Sequence, residues 1–256
     1  MMCFCNCVFK QLQEQFNFEY LGNAIKTNVV IIHPMHIANH NVDAAVNENS
    51  PKDKPVSGGR ILDVYFSADV ETDGPIPGPF SLLSFAFVFA GVFDGQQFTR
   101  PPSYQHTFYA ELKPISDHYE AEALRINRLD RDRLIIEGRS PESAMNEAAS
   151  WIREIAGNAQ PVLVAYPLSF DWSWLYWYFM RFCAQGSPFN HSQCFDIKTA
   201  FAVKANIPVA EAGRSKLLRS LRPDREHTHH ALEDAIEQAE VFANIFEWEG
   251  VSGRNP

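Results

Sequence analysis

Apolar residues alternate with polar ones at Leu62, Val64, Phe66, Ala68 and Val70, the two-residue period of a β-strand. The strand expected over Ile61–Val70 puts Asp69 and Glu71 together on its other face at its end, and Gly74-Pro-Ile-Pro-Gly-Pro79 stops it. Leu82–Gly91 and His106–Leu112 read as two more strands, with a turn at Phe93–Gln97 between them. Links this short make the three an antiparallel meander.

Glu120–Asn127 is a short helical stretch. At Ser140 the period lengthens. Ser140 caps and Pro141 opens a helix whose apolar face is Met145, Ala148, Ala149, Ile152 and Ile155, and Gly157 ends it. A buried strand at Val162–Ala165, an aromatic helix over Asp171–Cys183 and a short strand at Phe195–Ile197 follow. A last helix after His229 is striped by Leu232, Ala235, Ala239, Phe242 and Phe246. Strands in a meander, then strands alternating with helices, predict an α/β fold: a mixed sheet with helices on both faces. In the aromatic helix Trp172, Leu175, Phe179 and Phe182 are assigned to the core. Trp174, Trp177, Tyr178 and Arg181 are assigned outward, to contact with a second copy of the chain (a homodimer) ahead of base stacking.

Residues 1–58 break the regularity. The stretch 42–59 is polar and holds Asn-Glu-Asn-Ser-Pro-Lys-Asp-Lys-Pro, so 1–58 reads as an extension and linker, poorly ordered. Residues 59–250 then form the main domain and 251–256 a tail. Met35 offers a later start, and residues 1–34 are expected to be dispensable.

Composition adds bounds. Of 256 residues, 46% are hydrophobic and 13% aromatic, enough for one sizeable core. The net charge of −9 excludes a general polyanion-coating protein, but local basic patches or bound cations can still bring in nucleic acid. Lys198, Lys204, Arg214, Lys216, Arg219, Arg222 and Arg225, against Glu211 and Asp224, form a candidate phosphate-contact strip. Five cysteines, an odd count, and the lack of a secretory signal point to reduced thiols and a cytoplasmic location. Cys3, Cys5 and Cys7 lack the spacing of a zinc site. No apolar run approaches the roughly 20 residues that span a bilayer, so no membrane partner is expected.

Asp69 and Glu71 side by side are costly unless solvated or neutralised, and a divalent cation with oxygen ligands is the usual neutraliser. Asp171 follows the Val162–Ala165 strand, either as a site acid outside a strand end or as a helix cap. Asp234 lies five residues after His229. If both were helical they would point about 140° apart, so they share a site only with His229 in the lead-in loop. A solvated histidine cluster is the other reading.

Together, Asp69-Val-Glu71-Thr72, Phe170-Asp171 and His229-His-Ala-Leu-Glu-Asp234-Ala resemble the DEDDh family of 3′→5′ exonucleases, in that family's order. Ala123–Leu129 and Phe195-Asp196-Ile also resemble segments of it, and the likeness covers about residues 61–246. It implies an RNase H-like mixed five-stranded sheet and two Mg²⁺ or Mn²⁺ ions. Asp69 would bridge both ions, Glu71 and Asp234 would hold one, and Asp171 would support the other. His229 would be the general base, with His227 and His230 as rivals, and Thr72 would contact substrate. The implied substrate is the 3′ end of single-stranded nucleic acid, RNA ahead of DNA. Alternatives are a DNA proofreading or repair exonuclease, a small-molecule phosphohydrolase, and a catalytically silent nucleic-acid-binding module. Tyr166-Pro167 replaces a His-Asn-like pair common in the family, a departure that bears on substrate choice.

Overall fold

Strand β1 (Asp63–Thr72) runs through the middle of a mixed sheet. It belongs to a computed structural model describing residues 62–225 and 227–251. The expectations for 1–58, and for all of the 251–256 tail but Val251, lie outside the described residues. β1 pairs antiparallel with β2 (Leu82–Phe93) and parallel with β5 (Gln160–Ala165), which pairs parallel with β6 (Cys194–Asp196). β3 (Phe98–Thr99) and β4 (Thr107–Glu111) pair with β2. The sheet therefore has six strands, not the five expected. β1 occupies one edge of β2 along its length, so β3 and β4 follow one another on the opposite edge, and β3 sits just past the expected turn.

The helices are α1 (Ala121–Asn127), α2 (Arg131–Glu137), α3 (Pro141–Ala156), α4 (Leu168–Phe182), α5 (Ile197–Ala205) and α6 (Ala231–Glu247). They bury both faces of the sheet, one carrying Val64, Phe66, Ala68 and Val70 of β1 and the other Tyr65 and the buried Ser67 ahead of Asp69 and Glu71. Val64, Phe66, Ala68 and Val70 pack with Met145, Ile152, Leu175 and Phe179 of α3 and α4. Tyr65 packs on the other side with Phe201 of α5 and Phe242 of α6. Trp174 and Tyr178 are fully buried, which corrects their outward assignment. The inner stripe of α4 runs Asp171, Trp174, Leu175, Tyr178, Phe179, and the Tyr178 hydroxyl accepts the buried Leu82 amide at 2.7 Å. Trp172, half-buried, packs against the same core and stacks on Tyr176, with centroids 4.8 Å apart.

Among the described residues no helix is long and apolar enough to cross a membrane.

Candidate active site

The strand period delivers Asp69 and Glu71 to the sheet face that α6 covers. A register shift after Glu71, where Glu71 faces Ser84 but Thr72 faces Leu82, is a bulge that re-aims the strand end. The loop beyond is fixed by Asp73, whose buried carboxylate accepts the Ser81 amide at 2.5 Å and pairs with Arg131 at 3.0 Å.

Asp234 sits in the first turn of α6, fully buried. One oxygen from each of Asp69, Glu71 and Asp234 lies within 4.8 Å of the others. Asp171, in the first turn of α4, stands outside that triangle but faces it closely enough for its charge to act on Asp69. The structure thus brings together the acids expected from three separate motifs. α4 starts three residues earlier than expected, so Asp171 is no cap; the residue before the helix is Pro167.

Burial first, then the charges of Asp171, Glu71 and Asp234, hold the Asp69 carboxyl well above the usual carboxylate range. Burial and the Asp234 charge push Glu71 up to about 7. Burial likewise lifts Asp171 to about 7. Asp234 goes the other way: its burial is outweighed by hydrogen bonds. The His227 ring lies 3.1 Å away, and the Thr228 and His229 amides each donate at 2.8 Å. The carboxylates of Asp234, 3.1 Å away, and Glu237, 3.8 Å away, raise His227 to about 9.

The three histidines are separated by their contacts. His229 lies in the lead-in loop at φ 58°, exposed, its ring 4.7 Å from that of His227. His227 carries the ion pair to Asp234, and His230 stacks on Tyr109 at 5.1 Å. Thr72 is buried and donates its hydroxyl to the Gly74 carbonyl at 2.8 Å. It also lines a cavity of about 290 Å³ with Glu71, Ile126 and Phe170. Asp196, by contrast, is structural: it accepts the Leu168 amide at 2.7 Å and the Thr199 amide at 2.6 Å, tying down the starts of α4 and α5.

Two residues, Gln238 and Glu237, escaped the sequence reading, and Arg214 and Lys204 were read there only as phosphate contacts. Gln238 donates to Asp69 at 2.6 Å; one helical turn after Asp234, its spacing was the available signal. Glu237 and Arg214 form an ion pair beside His227, and nothing in their spacing announces it. Lys204 leaves the expected phosphate strip, because its ammonium donates to the Ile245, Phe246 and Trp248 carbonyls at the end of α6.

The fold thus gathers four acids and a histidine at one end of a mixed sheet. Residues 66–246 match the family described as "3'-5' exoribonuclease Rv2179c-like domain", and the chain belongs to that family. It is 32% identical over 184 residues to the "3'-5' DNA exonuclease Cap18" of Escherichia coli, covering 72% of this chain and 91% of that one. The fold is similar to that of the nuclease domain of 3'hExo, a DEDDh family member bound to rAMP. That pair has a TM-score of 0.53 and 10% identity over 76% of this chain and 97% of the other. A 3'-exonuclease that recognises the histone mRNA stem-loop aligns with a TM-score of 0.50 and 10% identity. The alignment covers 74% of this chain and 65% of that one. The chain is a 3′→5′ exonuclease.

Proposed function

We propose that this enzyme shortens single-stranded nucleic acid from its 3′ end, RNA in preference to DNA, with Mg²⁺ or Mn²⁺ held by Asp69, Glu71, Asp171 and Asp234. The observation that carries the reading is the convergence of Asp69, Glu71 and Asp234, with Asp171 beside them. Such a set fits a hard cation: the donors are all carboxylate oxygens, and crowding and burial leave the charge of Asp69, Glu71 and Asp171 poorly compensated. When bound, two ions would stabilise the charge that grows on the phosphate and the leaving 3′-oxygen.

The chain's own residues do the rest. Gln238 holds one oxygen of Asp69. The loop amides of Thr228 and His229 orient Asp234. His229 takes the proton of the attacking water, as a general base on an exposed loop. His227 and His230 are committed elsewhere, to Asp234 and to Tyr109. Thr72 and the cavity beside Glu71 receive the terminal nucleoside. We place the enzyme in the cytoplasm.

The exoribonuclease description of the family supports RNA; the DNA exonuclease named in E. coli supports the second reading, a DNA exonuclease. Equal-sequence RNA and DNA strands labelled at the 5′ end decide. The expected result is a ladder shortening from the 3′ end, faster on RNA and absent in EDTA. Faster loss of DNA would select the second reading, and no shortening of either would overturn both.

A further inference from the structure

Between α5 and α6 the chain makes three short 3₁₀ turns, at Val209–Glu211, Arg214–Lys216 and Arg219–Leu221. They fold Arg214, Arg219, Arg222 and Arg225 around one cavity of about 410 Å³, with Glu237 at its edge. We infer that this cavity seats a backbone phosphate of the substrate strand, on the 5′ side of the bond being cut. The inference rests on the exonuclease reading and adds a subsite to it.

Charge comes first. Four guanidinium groups line the cavity with Asp224 and Glu237; Glu233 and Glu240 pair Arg225 from outside that lining, while Arg222 is held by carbonyls and keeps its charge for a ligand. A guanidinium presents five N–H donors in a planar fork that matches two oxygens of a phosphate.

Preorganisation comes second. Arg222 donates to the Leu217 and Ser215 carbonyls at 2.8 Å each. Arg225 donates to Glu240 at 2.8 Å, and Arg214 pairs with Glu237 and lies over the Tyr166 ring. These contacts hold the arginines in place while using only part of their donors. Arg219 is the loosest, 83% exposed and 3.6 Å from Asp224.

Position gives the direction. Glu237 follows Asp234 by nearly one helical turn and meets both Arg214 and His227. The arginine cavity therefore adjoins the acids on the His227 side, while the cavity lined by Thr72, Ile126 and Phe170 adjoins them through Glu71. A 3′-terminal nucleoside carries no phosphate beyond the one under attack, and it suits the cavity walled by Ile126 and Phe170. The remaining strand carries a phosphate at every step, and it suits the arginines. A dinucleotide has one phosphodiester and cannot fill both places.

The test compares kcat/KM for a ten-nucleotide strand and a dinucleotide of the same sugar, over a KCl series, in the wild type and Arg219→Gln. The expected result is a decamer-to-dinucleotide ratio about fivefold lower in the variant, with a salt slope for the decamer shallower by about 0.7. Arg219→Lys, which keeps the charge but not the fork, is expected to recover the slope and only part of the ratio. Because Arg219 is exposed, folding is unaffected. An unmoved ratio and slope would overturn the inference alone, as would an equal loss on both substrates. A wild type that cut neither strand would overturn the exonuclease reading instead, and this subsite with it.

Discussion

Asp234 is held ionised by two loop amides and the His227 ring, while Glu71 and Asp171, close by, titrate near 7. At Asp234 the His227 ring and two amides outweigh burial, whereas at Asp171 burial outweighs the backbone amides that it accepts, and at Glu71 burial and the Asp234 charge prevail. It has a measurable consequence without metal. A group whose folded pKa is raised stabilises the fold below its ordinary value, and that stabilisation is lost as pH climbs through the raised one. Glu71 and Asp171 move from 4.5 and 3.8 to about 7, and His227 from 6.5 to about 9. In EDTA the urea midpoint is therefore expected to fall from pH 5 to pH 9, and a midpoint that rises would contradict these environments. Added Mn²⁺ should flatten the fall by replacing the missing positive charge. His229→Ala is expected to lower kcat by on the order of 10²–10⁴ with an unchanged urea midpoint, since the side chain is exposed. His230→Ala should stay within a few fold. Equal losses at the two positions would count against His229 as the base.

At the level of elements, α3 and α6 were legible because each has a clear start and an apolar stripe. Ser140 accepts the Ser143 amide at 3.2 Å, as a cap should. α2 and α5 were not legible. α2 is seven residues long and leaves Ile135 and Ile136 exposed, so its pattern mimics no amphipathic face. α5 is apolar nearly all round, and only the Asp196 cap marks its start. The aromatic helix misled for a related reason: with large rings at nearly every position, periodicity alone could not choose which face turns inward. Lys204 shows what an exposed-looking cation can do instead, capping α6 at its C-terminus. Lys204→Met is expected to cost about 1–2 kcal/mol of stability with KM for the decamer unchanged. A raised KM at full stability would return Lys204 to the phosphate path.

For the whole molecule, the order of motifs foretold the site because strand β1, helix α4 and helix α6 converge at the same end of the sheet. Their acids are as many as 165 residues apart in sequence, from Asp69 to Asp234. What could not be read was the shell behind them: Gln238 on Asp69, Glu237 and Arg214 beside His227. These contacts depend on how α6 and the 3₁₀ turns lie across the sheet, and no local period encodes that. The same crowding sets function against stability. Asp69→Asn replaces a carboxyl whose ionised form burial and its acidic neighbours already disfavour, and Gln238 keeps a partner, so the metal-free variant should unfold at a urea concentration no lower than wild type.

That variant also offers the most direct test of the site. Single-turnover cleavage of a 5′-labelled strand would be followed with Mn²⁺ in the wild type and in Asp69→Asn, beside the unfolding midpoint of each. The expected result is a rate lower by on the order of 10³, since a metal ligand supports several kcal/mol of transition-state stabilisation, with the fold intact. A folded Asp69→Asn protein that trims the 3′ end at the wild-type rate would place the chemistry elsewhere.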